Sequence, residues 1–326
     1  MEFVKKIDQC LFYERGNSIM QKDIYLWRMN IKPDSCDGVD PFLFCKNNDI
    51  LGFGWRLKDE FGNQIVPKDI EDCLRLGKKQ YGSKGFVQSI NAFKKIEIDD
   101  LVWTRYKGLY YLCRILGKWR FSNTDENYAA DVLNVVPVEF LEVGTVENVP
   151  GKVVNSFRAR SVIQRVHGYD QEGKTVNPAL DASMKIYNEI KGVEYYNIHY
   201  VSKEDILDLF LPEDMEEIIG LYLQFKKNYL LYSSSNKIDT ETYEFVMISR
   251  NGDHLCYPQV KTGNVSLNGD DYIHLTKSGN KVYLFAVSER YFNVDDPNII
   301  PIRKDEILSF IYENKIIMPP RIKMWL

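Results

Sequence analysis

A carboxylate, an amide and an ammonium group lie on two consecutive apolar segments in the last third of the chain. Glu244 lies in the first segment, and Gln259 and Lys261 lie in the second. Oxygen atoms of carboxylates and amides are ligands that Mg²⁺ or Mn²⁺ accepts, and such an ion lowers the pKa of a bound water and neutralises charge on a phosphate. A lysine beside the ion can stabilise the transition state. These residue types are therefore suited to phosphodiester hydrolysis.

The turn between the two segments predicts that the three side chains meet. Asn251-Gly252 separates the apolar runs, and Asn-Gly is a strong hairpin signal because both residues tolerate positive φ. Counting outward from the turn places Glu244 opposite Gln259, with Lys261 two residues further along on the same face. Pro258 complicates this register, because a proline inside a strand indicates an edge strand or a bulge that shifts the pairing by one residue.

A helix is predicted upstream of the hairpin. Pro212 suits the first helical position, where its missing N–H is not needed, and an apolar stripe of helical period follows it. Because Gln259 carries no charge, a second carboxylate would help to hold a metal, and Glu216 or Glu217 of this helix is the natural candidate. Asp239 is an alternative acid just before the hairpin. Strands at 242–249, 254–261 and 281–288 and a helix at about 304–314 complete an α/β unit.

The order of a helix acid, a strand acid and an amide-x-Lys strand resembles the PD-(D/E)xK nuclease superfamily. Gln259-Val-Lys261-Thr-Gly is similar to its Gln-x-Lys branch, found in Mrr-like restriction endonucleases of modified DNA. The resemblance covers roughly 203–315 and implies a restriction-endonuclease-like α/β core within a domain at 201–326. It also implies a metal held by Glu244, Gln259 and Glu216, with Glu217 as the alternative helix acid, and a Lys261 that assists the attacking water. The chain departs from the family in having Glu as the strand acid, with no Pro-Asp before it.

The first domain, residues 1–150, is predicted to be rich in β-strands. Short apolar runs separated by turn residues are typical of a small barrel or a curled sheet. The runs predict one helix at 70–79, a three-strand meander over 101–122, and strands at 24–29, 42–45, 50–57, 101–105, 109–116 and 132–138. Together with the second domain this gives a two-domain protein of the α+β or α/β class.

Four of the five tryptophans lie in this first domain. Asp99-Asp-Leu-Val-Trp-Thr-Arg105 and the Tyr-rich segment that ends near Lys118-Trp-Arg120 resemble the PUA/EVE-like barrels, over roughly 20–145. The resemblance implies an aromatic pocket that reads a nucleic-acid base, often a modified one, with Trp27, Trp55 and Trp103 as candidates. The alternative is that these aromatic side chains fill the core.

Residues 151–200 are expected to connect the two domains, with a short helix around 179–191. The segment 157–165 carries three arginines, either on a solvated face or as a stripe that contacts phosphates. The whole chain has 42 Lys and Arg against 46 Asp and Glu, a net charge of −4, so any contact with nucleic acid must use a local basic patch.

Two hypotheses follow. The first is a cytoplasmic Mg²⁺-dependent nuclease of restriction or antiphage defence, acting on DNA rather than RNA, with a homodimer or a defence complex as its assembly. The second is a catalytically degenerate subunit that recognises nucleic acid or other subunits of such a complex. No apolar run approaches the ~20 residues that a membrane span requires, and the six scattered cysteines argue against a zinc site or disulfide framework.

Overall fold

The computed structural model of the protein describes residues 23–31, 38–171, 174–198, 206–234 and 243–326. The protein belongs to the mixed α+β class, with a curled half-barrel sheet in its first half and a second large sheet in its last third. Within the described ranges, none of the helices combines the length and the apolarity that crossing a membrane requires.

The elements are numbered in chain order. The described strands are β1 (Leu26–Met29), β2 (Ile50–Phe53), β3 (Leu101–Tyr106), β4 (Leu109–Ile115), β5 (Arg120–Phe121), β6 (Asn134–Gly144), β7 (Ile163–Arg165), β8 (Tyr169–Gln171), β9 (Lys174–Val176), β10 (Tyr229–Leu231), β11 (Met247–Ser249), β12 (Leu255–Lys261), β13 (Leu267–Asn268), β14 (Lys281–Ala286), β15 (Tyr291–Phe292) and β16 (Ile299–Pro301). The described helices are α1 (Pro41–Asn47), α2 (Ile70–Tyr81), α3 (Phe86–Lys95), α4 (Asp125–Ala129), α5 (Gly151–Ser156), α6 (Pro178–Lys191), α7 (Pro212–Lys227), α8 (Lys304–Glu313) and α9 (Pro320–Lys323).

The first sheet has the strand order β2-β6-β4-β3-β1-β7, and β5 also pairs with β6. Its curl follows from the long strand β6, whose residues 134–137 pair with β2 and whose residues 138–144 pair with β4. The expected connection at 151–200 contributes directly to this half of the protein. β7 pairs with β1, and α6 packs against the core on one face of the sheet.

Several predictions for the first half of the chain are confirmed, and others differ from the structure. The β3–β4 hairpin, α2 and α6 form where they were predicted. Residues 42–45 are part of helix α1 instead of a strand, because Asp40 caps the helix and Pro41 begins it. The third strand of the predicted meander, β5, pairs with β6 and not with β4. Helix α3 was not predicted.

The second sheet has the order β10-β11-β12-β14-β16. β11 is antiparallel to both neighbours, and β12, β14 and β16 are parallel to one another. Helices α7 and α8 cover one face, where their apolar side chains form a core with every second residue of β12 and β14. This core includes Met215, Ile218, Tyr222, Cys256, Val260, Tyr283, Phe285, Ile307 and Phe310.

A second, smaller core lies on the opposite face of this sheet. It consists of Leu267, Tyr272, Val282, Leu284, Ala286 and Ile299. Tyr272 belongs to a run of 3₁₀ turns, Gly269–Leu275, that covers this face. The two faces of the sheet are therefore closed by different kinds of structure, long helices on one and short turns on the other.

Candidate active site

The predicted register of the hairpin is present next to its turn. Met247 pairs with Cys256 and Ile248 pairs with Leu255, as the Asn-Gly turn predicts. Gly252 has a φ of 74°, which glycine adopts without the strain that other residues would meet. Further from the turn the hydrogen bonds shift.

The shift occurs at Pro258. Because ladder bonds alternate, the register beside the turn would have Phe245 donate to the carbonyl of Pro258. Instead the N–H of Glu244 donates to that carbonyl, at 3.0 Å. Pro258 has no N–H with which to return a ladder bond, so the pairing is free to slip by one residue at this position. The irregularity expected from the proline is thus present, and it lies beside Gln259.

The strand predicted at 242–249 is present only as β11, so Glu244 lies in the segment before that strand, whereas Gln259 and Lys261 lie on β12. Gln259 and Lys261 are two residues apart on β12 and alternate with Val260, which packs beneath α7. They therefore project toward the face that the 3₁₀ turns cover. The Nζ atom of Lys261 lies 3.6 Å from Oε1 of Glu244. The structure thus brings a carboxylate and an ammonium group into contact beside the amide.

Gln259 is the least satisfied polar residue of this group. Its side chain is 1% exposed, and within the described ranges neither its Oε1 nor its Nε2 has a hydrogen-bond partner. Buried polar side chains are nearly always hydrogen-bonded, and an unsatisfied one costs about 1–3 kcal/mol. A cost of this size at a buried strand position indicates a polar group that is retained for something other than stability.

The pair formed by Glu244 and Lys261 opens to solvent. The side chain of Lys261 is 39% exposed and that of Glu244 is 17% exposed. An ion pair at this exposure contributes about 0–1 kcal/mol, so the pair does little to stabilise the fold. The exposure of the three polar side chains thus increases from the buried amide of Gln259, through the half-buried carboxylate of Glu244, to the ammonium group of Lys261.

Tyr272 is a member of the site that the sequence analysis missed. It is buried in the 3₁₀ turns, and its pKa is raised by burial first, then by the negative charge of Asp271 and then by that of Glu244. Its hydroxyl group therefore lies within the field of the site carboxylate. No spacing rule connects residue 272 with residue 244, and the turn that carries it shows no regular periodicity.

Glu217, one of the two candidate acids of α7, is paired away from this group. α7 packs on the face of the sheet opposite to Gln259. Glu217 is paired with Arg321, which also contacts Asp214 at 2.5 Å. Glu216 is half-buried on the same helix. The physical reason is the alternation of side chains along β12, which directs Gln259 away from the helix. Asp239 lies outside the described residues.

The donor set at this site suits a hard divalent cation. Glu244 offers a carboxylate, and Gln259 offers a buried Oε1 atom to which no described residue donates a hydrogen bond. Mg²⁺ commonly takes only one or two carboxylates from the protein and the remaining ligands from water and substrate phosphates. Among the described residues, no three His, Cys, Asp or Glu side chains form a group that could hold a metal. The fit is therefore to an ion that shares its ligands with a substrate.

The predicted base pocket is not assembled by the tryptophans. Trp27 and Trp103 are 3% and 0% exposed and belong to cores on opposite faces of the first sheet. Their indole N–H groups donate to Asp100 and Ser183, both at 2.9 Å. Trp55 is half-buried against the ring of Phe86. Because neighbouring residues of a strand point to opposite faces, Trp27 and Trp103 cannot line one pocket, and their placement agrees with the alternative of core packing.

A pocket of about 510 Å³ lies at the other end of the second sheet, around the hairpin turn. His254 lines it, but both of its ring nitrogens are engaged. Nδ1 lies 2.7 Å from Asp253, and Nε2 lies 2.9 Å from the hydroxyl of Tyr229. The imidazole is therefore held in place as a structural group, and the chemistry of the chain is better sought around Gln259.

Comparisons of the chain with protein-family models, with curated proteins and with solved structures find no match.

Proposed function

We propose that the protein is a Mg²⁺-dependent nuclease that hydrolyses phosphodiester bonds of DNA in restriction or antiphage defence. The observation that carries the proposal is the group of Glu244, Gln259 and Lys261, in which a buried amide has no hydrogen-bond partner among the residues that the structure describes. The resemblance of the Gln-x-Lys strand to the PD-(D/E)xK superfamily gives the group its chemical interpretation. Mn²⁺ would serve in place of Mg²⁺, since both ions prefer oxygen ligands.

Each side chain has a distinct part in this proposal. Glu244 and the Oε1 atom of Gln259 would hold the cation, which supplies positive charge near the phosphate and acidifies a bound water. Lys261, at the open end, is placed to contact a phosphate oxygen and to offset the charge that develops on it. The 3₁₀ turns Gly269–Leu275 bring Tyr272 into the electrostatic field of Glu244.

The test is metal-dependent cleavage by Glu244→Gln and Lys261→Met. Each variant should lose roughly 100-fold or more of the cleavage rate, because removing one group that stabilises the transition state has an effect of this size. The substrates should be plasmids with and without modified cytosine or adenine, in the presence of Mg²⁺ or Mn²⁺.

Lys277→Met is the matched control, since Lys277 is an exposed lysine of the same half of the chain. It should cleave like the wild type. Urea unfolding should show that all three variants remain folded. Wild-type rates in both Glu244→Gln and Lys261→Met would contradict the proposal.

A catalytically degenerate recognition subunit is the second candidate. It is favoured by the pairing of Glu217 with Arg321, which engages one of the two predicted helix acids elsewhere. This candidate predicts that the wild-type protein binds nucleic acid and cleaves none of the modified or unmodified substrates with either ion. Any metal-dependent cleavage that Glu244→Gln abolishes would exclude it.

A further inference from the structure

Arg28 is a buried charge at one end of the first sheet. Its side chain on β1 is 0% exposed, and its Nη atoms donate to the carbonyl and hydroxyl oxygens of Ser161, both at 2.6 Å, and to Oε1 of Gln164 at 2.7 Å. Its Nε atom has no hydrogen-bond partner in the described part of the chain. These acceptors are all neutral, and no carboxylate within the described residues pairs with Arg28. Burying a charge without an opposite charge is costly, so the surroundings favour an anion nearby.

A second arginine adds to the positive charge at this place. Arg105 is exposed on β3, two residues beyond Trp103, which pairs with Arg28 across the strands. Arg28 and Arg105 therefore share one face of the sheet. Both guanidinium groups lie near the ring of Phe157, with Cζ at 5.9 Å and 4.8 Å from its centroid. The pKa of Arg28 is lowered by burial first and then by the charge of Arg105.

The loop that follows Phe157 brings two more arginines to the same place. Arg158 and Arg160 are exposed on either side of Ala159, whose carbonyl accepts from Nη2 of Arg28 at 3.3 Å. Arg28 thus anchors this loop. Arg165 differs from these residues, because it lies over the ring of Tyr25 and alternates with Gln164, which faces Arg28.

This surface is basic in a chain that is acidic overall. Residues 152–168 contain four Lys and Arg and no Asp or Glu, whereas the whole chain has a net charge of −4. Neither Arg105 nor Arg158 forms an ion pair with any residue that the structure describes. Guanidinium groups are planar and weakly hydrated, and they bind phosphate oxygens through paired N–H donors. A row of them on an anchored loop suits a chain of phosphates.

We propose that Arg105, Arg158 and Arg160 form a surface that binds the sugar–phosphate backbone of nucleic acid, with Arg28 as the residue that positions the loop. This inference rests on the proposed function, in which nucleic acid is the substrate of the nuclease. It adds a second surface of the protein that binds this substrate. The surface lies on the first sheet, whereas the candidate active site lies on the second. Binding and cleavage can therefore be lost separately.

The test measures binding of a short, fluorescently labelled DNA duplex of mixed sequence by anisotropy, in EDTA, over a series of salt concentrations. The double variant Arg105→Ala/Arg158→Ala should raise Kd roughly tenfold or more at low salt and lower the slope of log K against log salt by about two, one for each lost phosphate contact. Lys78→Ala/Lys84→Ala removes the same charge from exposed lysines of the same half of the chain and should change neither quantity.

Arg28→Gln tests the positioning role. Because Arg28 is buried and touches no phosphate, its loss should raise Kd several-fold while the salt slope stays near that of the wild type. A purely structural role would lower the stability of the protein and leave the Kd of the folded fraction unchanged. If Arg28→Gln does not fold, the double variant Arg105→Ala/Arg158→Ala, which changes only exposed residues, still tests the proposal.

Three results would overturn the proposal. These are an unchanged Kd and slope in Arg105→Ala/Arg158→Ala, no binding of the duplex by the wild type, and competition by polyglutamate as effective as that by DNA, which would indicate an acidic protein partner. Normal salt-dependent binding by a wild-type protein that never cleaves would contradict the nuclease and leave this surface in place.

Discussion

Two buried polar side chains of the first sheet, Asp100 and Asn134, make several hydrogen bonds each, whereas a buried amide of the second sheet makes none with the residues that the structure describes. In the first sheet, Asp100 accepts hydrogen bonds from the N–H of Tyr25 at 2.8 Å and from the indole of Trp27 at 2.9 Å. Asn134 accepts from the indole of Trp119 at 3.2 Å and donates to the carbonyl of Gly54 at 2.7 Å. The equally buried amide of Gln259 has no hydrogen-bond partner in any of the segments that the structure describes.

This difference in hydrogen bonding distinguishes polar side chains that stabilise the fold, Asp100 and Asn134, from one that does not, Gln259. Asp100 and Asn134 connect strands to distant segments, so their removal would leave buried donors without acceptors. The side chain of Gln259 makes no hydrogen bond to a described residue, so its removal would leave none of these residues without a hydrogen-bond partner. Stability measurements on the two sheets can therefore test this distinction, and three substitutions should affect the stability of the protein to different degrees.

The largest expected effect is that of Asp100→Ala. It removes an acceptor from the buried indole of Trp27 and from the N–H of Tyr25, and the free energy of unfolding should fall by about 3 kcal/mol or more, because buried hydrogen bonds to a carboxylate are strong. Urea unfolding measures the change. Asp100→Asn keeps one acceptor oxygen and should lose less. A loss below about 1 kcal/mol in Asp100→Ala would contradict a structural role for this residue.

Asn134→Ala should have an intermediate effect. The substitution leaves the indole N–H of Trp119 and the carbonyl of Gly54 without a partner, and the neutral bonds that it removes are weaker than those of Asp100. The free energy of unfolding should fall by about 2 kcal/mol with an unchanged urea m-value. A loss equal to that of Asp100→Ala would show that charge is not what distinguishes the two sites.

Gln259→Leu should have the smallest effect on stability. It replaces an unsatisfied amide by an apolar side chain of similar size next to Leu284, so the free energy of unfolding should change by less than about 1 kcal/mol or rise. The measurement is again the urea midpoint. A loss as large as that of Asn134→Ala would show that Gln259 makes a structural contact after all.

Local features of the second sheet could be predicted from the sequence. Asn251-Gly252 predicts the pairing of Met247 with Cys256, because the conformation of a short turn determines the register of the strands beside it. Pro258 predicts the irregularity further along, because a proline cannot complete a strand ladder. The grouping of Glu244 with Lys261 follows from these two local rules.

Features that depend on distant residues could not be predicted. Glu217 is more than 100 residues before Arg321 in the chain, and only the packing of α7 and α9 brings them together. The position of β5 beside β6 depends in the same way on the curl of the first sheet. Helix α1 is a different case, since Asp40 and Pro41 signal a helix start, while the short apolar run after them suits a strand equally well.

The most direct test of a functional Gln259 is metal-dependent cleavage of DNA by Gln259→Leu, measured on the same preparation as its stability. We expect the cleavage rate to fall roughly 100-fold or more while the free energy of unfolding stays equal to or above that of the wild type. Cleavage at the wild-type rate by a protein of unchanged stability would contradict the assignment, because Gln259 would then serve neither the fold nor the reaction.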